Sequence, residues 1–299
     1  MDDIRQQPLK STIFDTALIF EGGGMRASYT AGMANVLLEN GLFFDSVYGV
    51  SAGSSHTVNY LSRDIPRTKK SFVDLVKDRR YAGLGYFFLH EGWFNAHYCY
   101  QEVAKPDGAL PFDIETFRAN PAHACISGFQ PDTGKTVYWT EEDMQTTEDL
   151  MIRVRASSSM PFFMPETVVD GIPYYDGGLG CDAGLLLPKA QLDGFERFFV
   201  VLTRPRGYRK VPPDHQKAIR YYYFRRPALY EALVNRWHVY NDILDELEQL
   251  ERDGKAYLVY PENMQVSNVE GRYELLQKSY DDGYAQAQAE LDRWKEFLL

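Results

Sequence analysis

An α/β fold with a mostly parallel central sheet follows from three features of this sequence. Short apolar β-type runs alternate with stretches of helical spacing, glycine-rich turns end the first runs, and the chain opens with strand, turn, helix, strand, turn, helix. The first run, TALIFE at 16–21, stops at Gly22-Gly23-Gly24. Met25, Tyr29, Met33, Val36 and Leu37 then recur at helical spacing up to Asn40-Gly41, a fitting helix end. A second run, Val47-Tyr48-Gly49-Val50, leads into Ser51 and another helical stretch. The middle, roughly 66–122, reads as helical and aromatic. Further strands are expected at 124–127, 136–140, 166–170 and 198–203, with 172–175 returning from the turn at Asp170-Gly171. Residues 213–251 read as helical and charged, 256–260 as a last strand closed by Pro261, and 270–298 as a terminal helix with Gly283 as its weak point. There is no internal repeat or clear linker. One domain is expected: a core over 15–205 and a mainly helical extension over 206–299 packed on it, which contributes the strand at 256–260.

Composition bounds the function. The chain has 299 residues, 44% hydrophobic and 25% charged, enough for a large core and too apolar for wholesale disorder. A net charge of −10 opposes nonspecific nucleic-acid binding and does not draw the whole molecule to an anionic membrane. Cys99, Cys125 and Cys181 are odd in number and lack zinc-type spacing, so no metal is implied and a reduced, cytoplasmic protein is the simplest expectation. The polar start MDDIRQQPLK has no signal-peptide core, and no apolar run approaches the ~18 residues a membrane span needs. A lipid substrate would have to be reached from outside the bilayer.

Three motifs carry chemistry. Gly49-Val50-Ser51-Ala52-Gly53 fits G-x-S-x-G, in which a serine sits on a strained strand-to-helix turn and its neighbours must be small. Without its context the pentapeptide is equally a Gly/Ser-rich loop. Glu21-Gly22-Gly23-Gly24-Met25-Arg26-Ala27 has two functional readings. Gly22, Gly24 and Ala27 fit a dinucleotide pattern, while the backbone N–H groups would also suit an oxyanion. A ribose-binding acid belongs at the end of the second strand, and the nearest candidate, Asp45, precedes that strand. Asp176 ends Tyr174-Tyr175-Asp176 and is followed by Gly177 and Gly178, which permit close approach of backbone; the same Asp-Gly is also a common turn. Of His56, His90, His97, His123, His215 and His238, only His215 and His238 follow Asp176 in the order of a Ser-Asp-His triad, and both lie in charged helical contexts that suit surface histidines.

Together, the Gly-Gly-Gly-x-Arg loop, the Gly-x-Ser-x-Gly turn one helix later and the distant Asp-Gly-Gly resemble the patatin-like phospholipase family. Arg155-Ala156-Ser157-Ser158-Ser159-Met160-Pro161 resembles the family's segment before the aspartate. Leu202–Tyr208 and the region from Pro261 to Tyr284 resemble bacterial members, so the likeness covers most of 15–285. It implies a three-layer α/β/α patatin-like fold with extra C-terminal helices, and a serine acyl hydrolase of phospholipase A type with no cofactor. Ser51 would be the nucleophile and Asp176 its base. Gly22, Gly23, Gly24 and Ala52 would form the oxyanion hole, with Arg26, Gly49, Gly53, Gly177 and Gly178 in support. Arg26 would orient the loop, or else be a surface charge at a helix start. Ala27 departs from the family's usual glycine; a positive φ there would displace the loop. A catalytically weak lipid-binding or regulatory protein of the same fold is the alternative.

Two expectations concern the substrate. Phe87, Phe88, Trp93 and Phe94 are candidates for an acyl pocket, or ordinary core aromatics. Segment 197–226 carries Arg197, Arg204, Arg206, Arg209, Lys210, Lys217, Arg220, Arg225 and Arg226 against Asp214, interleaved with Tyr208, Tyr221, Tyr222, Tyr223 and Phe224. That composition suits peripheral contact with anionic headgroups, or a solvated face of an acidic protein.

Overall fold

The computed structural model describes residues 9–81 and 95–299. Its strands are β1 (Thr16–Phe20), β2 (Ser46–Gly49), β3 (His123–Phe129), β4 (Thr136–Thr140), β5 (Thr167–Val169), β6 (Ile172–Asp176), β7 (Arg197–Val201) and β8 (Ala256–Val259). They form one sheet in the order β5-β6-β3-β2-β1-β7-β8, with β4 also on β3. The pairs β7/β8, β1/β7, β1/β2 and β2/β3 are parallel, and β3/β4, β3/β6 and β5/β6 antiparallel. The parallel core is expected, because helical crossovers separate its strands. The hairpin β5–β6 returns at Asp170-Gly171, where both residues have positive φ (50° and 78°).

The strands of the parallel core are buried on both faces, yet they alternate. Leu18 and Phe20 of β1 point into one core, with Val47, Phe199 and Val201; Ala17 and Ile19 point into the other, with Tyr48, Phe198 and Val200. The first core is covered by helices α1 (Ala27–Glu39), α2 (Ala52–Leu61), α5 (Thr147–Ser158) and α9 (Tyr273–Leu298). The second is covered by α6 (Leu187–Leu192) and α8 (Pro227–Arg252). This is the three-layer α/β/α arrangement. Short helices α3 (Ile65–Lys69), α4 (Ile114–Ala119) and α7 (Gln216–Tyr222) decorate it.

α1 is buried from Ala27 through Leu38 because α9 covers the face that the sheet does not. The two helices touch backbone to backbone. A Cβ on Gly32 would lie 2.5 Å from the Tyr284 nitrogen, and one on Gly283 would lie 2.1 Å from the Tyr29 carbonyl oxygen. Gly283 is therefore not a break in the terminal helix but the point where α1 enters it. The helical reading of 213–251 holds as two helices: the segment breaks at Tyr223–Arg226, because Pro227 opens α8 at a position where its missing N–H needs no partner. The described part of 66–122 is helical in pieces, a continuous run over 65–77 and short helices at 97–102 and 114–119.

Chain order runs outward from β1 in both directions, β2 and β3 on one side, β7 and β8 on the other. A crevice opens at the carboxyl ends of the strands where a parallel sheet reverses in this way. The glycine loop after β1, the serine turn after β2 and Thr203 after β7 all reach it.

Candidate active site

Ser51 stands between β2 and α2 at φ 57°, ψ −126°. A side chain in that region is held at a cost of about 1–3 kcal/mol, so its surroundings must fix it. They do. The Ser51 N–H donates to Ser157 Oγ at 2.9 Å, and the Ser51 carbonyl accepts from the Ser54 N–H (3.0 Å) and Oγ (2.6 Å). The flanking glycines are steric necessities. A Cβ on Gly49 would lie 2.2 Å from the Gly53 carbonyl oxygen, and one on Gly53 would lie 2.1 Å from that of Phe20.

Asp176 meets this serine through the register of β3. Ile126 of β3 pairs with Gly49 of β2, and two residues on, Gly128 pairs with Asp176 of β6. Since β4 occupies the other edge over both positions, β6 takes over the same edge of β3 where β2 leaves it. Ser51 and Asp176 are thereby brought end to end, and Ser51 Oγ donates to Asp176 Oδ2 at 2.7 Å. Asp176 Oδ1 accepts from the Gly178 N–H at 2.8 Å, and the Asp176 N–H donates to the Ser159 carbonyl at 2.8 Å. Gly177 and Gly178 allow this crowding. A Cβ on Gly177 would lie 2.3 Å from the Ser127 carbonyl oxygen, and one on Gly178 would lie 2.6 Å from Arg236 Nη2. Both side chains are nearly enclosed, Ser51 7% and Asp176 4% exposed. Burial raises the Asp176 carboxyl above the usual aspartate range. Arg236, the Ser51 hydroxyl, the Gly178 N–H and Lys210 oppose that rise by favouring the anion.

The glycine loop lies against the serine turn. A Cβ on Gly22 would be 3.0 Å from that of Ser51, and one on Gly23 would be 2.6 Å from Thr203 Oγ1. Gly24 has φ +55°, a conformation suited to glycine. The N–H of Gly22 donates to the Gly184 carbonyl at 3.3 Å, which sets it apart from the other expected oxyanion donors. Glu21 ties the loop to both neighbours, accepting from the Thr203 N–H at 2.5 Å and the Tyr240 hydroxyl at 2.8 Å. Ala27 is right-handed at φ −63°, so the expected displacement of the loop does not arise. Arg26 is not a surface charge: it is 8% exposed, and burial lowers its pKa to about 10.

The described histidines lie elsewhere, and His90 falls outside the described residues. His56 is enclosed, its Nε2 2.8 Å from Thr30 Oγ1, and burial holds it neutral with a pKa of about 3. His123 pairs with Glu141, His97 with Glu102 and His238 with Asp242, while His215 is an exposed residue before α7. Asp45 lies at the amino end of β2, away from the glycine loop, and its carbonyl accepts from the His123 N–H.

A cavity of about 100 Å³ opens from Ser51 and Ala52 between α2, α5 and the turns after α3. Val58, Phe72, Leu75, Met151 and Val154 line it, as do Arg67 and Asn59, joined by Arg67 Nε donating to Asn59 Oδ1 at 3.0 Å. Phe72 and Tyr100 line the cavity although the sequence reading did not single them out. The expected aromatics Phe87, Phe88, Trp93 and Phe94 fall outside the described residues. Sequence reasoning also gave no separate role to Ser157 and Ser159. Their sequence signal was the serine run at the end of α5, which touches the backbone of both Ser51 and Asp176. Among the described residues no helix is long and apolar enough to cross a membrane.

Comparison with known proteins follows the same lines. Residues 226–299 match a domain of unknown function (DUF6363). No curated protein matches the chain. Among solved structures, the crystal structure of VipD from Legionella pneumophila is similar over 93% of this chain and 67% of that one, at 14% identity and a TM-score of 0.49. Residues 18–186, more than half of the sequence, match the model of the patatin-like phospholipases. The chain belongs to the patatin-like phospholipase family, and its domain is that of a lipid acyl hydrolase.

Proposed function

We propose that this protein hydrolyses acyl esters of lipids, as a phospholipase A or lysophospholipase, with Ser51 as nucleophile and Asp176 as base. The observation that carries the reading is the 2.7 Å hydrogen bond from Ser51 Oγ to the buried Asp176 carboxylate. Ser51 Oγ attacks the ester carbonyl while Asp176 takes its proton. The tetrahedral oxyanion is held by backbone N–H groups of Gly23, Gly24 and Ala52, with Gly22 shaping the loop. Asp176 returns the proton to the leaving alcohol, then deprotonates the water that releases the fatty acid and passes that proton to Ser51 Oγ as it departs. Each well-aimed oxyanion donor contributes about 3–4 kcal/mol to such a transition state. The apolar walls of the cavity receive the acyl chain.

Peripheral membrane contact is part of the reading, through a smaller surface than segment 197–226 as a whole. Arg197, Arg206, Arg209 and Arg226 are ion-paired with Asp15, Glu251, Asp245 and Glu166. α7 and the turn after it keep Lys217, Arg220 and Arg225 outward beside Tyr221 (84% exposed), Tyr222 and Phe224. Phe162, from the loop whose Met160 and Met164 line the cavity, packs on Tyr222 at 5.7 Å between ring centres. This basic, aromatic surface suits an anionic lipid interface next to the cavity.

The test is labelling with a fluorophosphonate and hydrolysis of a lipid panel. The wild-type protein is expected to be labelled at Ser51 and to cleave lipid esters. Ser51→Ala loses both, and Asp176→Asn loses hydrolysis by about 10²–10⁴-fold. A folded wild-type sample that neither labels nor hydrolyses any ester sinks the reading in favour of a lipid-binding role.

A further inference from the structure

Four basic side chains converge beside the glycine loop, and none of them has a carboxylate partner among the described residues. They are Arg26 at the start of α1, Arg204 and Lys210 on the segment after β7, and Arg236 in α8. Arg26 Nε and Arg236 Nε are buried with no hydrogen-bond acceptor. Lys210 Nζ lies 3.1 Å over the ring of Tyr240, and Arg204 lies 4.4 Å over the ring of Tyr208. Those two rings meet edge to face at 6.3 Å, which brings Lys210 and Arg204 together, and Arg26 and Arg236 are close enough for their charges to act on Lys210. Burial and the charges of Arg236, Arg26 and Arg204 hold the Lys210 ammonium well below the usual lysine range, although Glu21 opposes this.

The nearby carboxylates do not neutralise the cluster. Glu21 accepts from Tyr240 and Thr203, which are neutral donors, and Asp176 accepts from Ser51 and Gly178. Three arginines and Lys210 thus face two carboxylates, so basic groups outnumber acidic ones in a partly buried site of a protein whose net charge is −10. By contrast, Arg206 and Arg209 on the same segment are paired with carboxylates of α8. Holding like charges together without partners is costly unless an anion joins them. Guanidinium forks beside an ammonium match the tetrahedral oxygens of a phosphate.

We propose that Arg204, Lys210 and Arg236, backed by Arg26, form a phosphate-binding site flanking the Gly22–Gly24 loop. It deepens the hydrolase reading above and rests on it only for the benefit to catalysis: a lipid phosphate held there places its acyl ester over Ser51. Binding itself needs no turnover.

The site is tested by calorimetric titration of the Ser51→Ala chain with inorganic phosphate and with soluble dibutyryl phosphatidic acid. Both are expected to bind, and Arg204→Gln with Lys210→Met in the same background weakens binding by about tenfold per lost charge-assisted contact. The single charge-retaining change Arg204→Lys, expected to lose less, guards against misfolding as the cause, as do melting curves of every variant. A phosphatidic acid that binds at least about tenfold tighter than phosphate identifies a lipid headgroup as the ligand, since the buried acyl chain adds to affinity. Equal affinities identify free phosphate. No binding of either ligand, or binding that both substitutions leave unchanged, overturns the site. Because the titrated chain lacks Ser51, these results stand whether or not the wild-type protein hydrolyses lipids.

Discussion

Replacing Gly53 by alanine sets two effects of opposite sign against each other. Alanine is the better helix former by about 1 kcal/mol, and Gly53 lies in α2 with no unusual φ, so propensity alone predicts stabilisation. The added Cβ, however, would sit 2.1 Å from the carbonyl oxygen of Phe20. That oxygen belongs to the last residue of β1, fixed between β2 and β7. Ordinary contact requires α2 to move away by about 1.3 Å. Overpacking of this kind costs about 1–3 kcal/mol, so the net effect is destabilisation by up to roughly 2 kcal/mol. The loss of activity is larger, because Ser51 immediately precedes α2 and moves with it. Misplacing a reacting group by about 1 Å costs about 10²-fold, equivalent to about 2.7 kcal/mol in the barrier. Urea unfolding and kcat/KM on a soluble butyrate ester measure the two effects separately. Gly271→Ala is the control: its Cβ meets nothing within 4 Å, and it should change stability by less than about 0.5 kcal/mol. A Gly53→Ala protein with wild-type stability and turnover would falsify the claim that this turn is fixed by backbone contact.

Three further outcomes follow from particular contacts. Arg236 favours the anionic form of Asp176, whose pKa burial has already raised; Arg236→Gln removes that support, raises the pKa further and moves the acidic limb of kcat/KM to higher pH. A pH profile that stays put, or shifts downward, refutes that electrostatic link. Trp294 is fully buried, 5.3 Å edge-on from Phe199, and donates to Glu290; Trp294→Ala should cost about 3–5 kcal/mol in denaturant unfolding, and a much smaller loss shows that α9 is not part of the core. Changing Tyr221, Tyr222 and Phe224 together to serine should weaken sedimentation with anionic vesicles while leaving hydrolysis of a soluble ester intact; unchanged sedimentation removes α7 as the contact surface.

The fold was legible where period and punctuation agree. β1, the glycine turn and α1 are readable because TALIF, three glycines and a run of helical spacing follow one another directly. The likeness to patatin-like enzymes rested on three ordered motifs, and the family match over 18–186 covers all three. What the sequence did not carry was whatever depends on register and on partners distant in the chain. Nothing local says that Gly128 faces Asp176, or that Ser157 reaches the Ser51 N–H across 106 positions. Charge counting along 197–226 described a uniform basic stretch, whereas the fold divides it three ways: arginines paired with carboxylates of other elements, residues turned toward the glycine loop, and an outward helix. Arg26 was ambiguous for the same reason, since its burial comes from the packing around it and not from its neighbours in sequence.

The shared edge of β3 also has a bearing on when the protein becomes reactive. Residues 51 and 176 have no local reason to meet; they are joined only through a third strand that both must grip in the correct register. A slip of β6 by two residues keeps every side chain on its proper face yet carries the carboxylate about 7 Å along the strand, beyond reach of the hydroxyl. On the proposed mechanism, a nascent or partly unfolded chain therefore holds an inert serine, and reactivity waits until the whole sheet has closed.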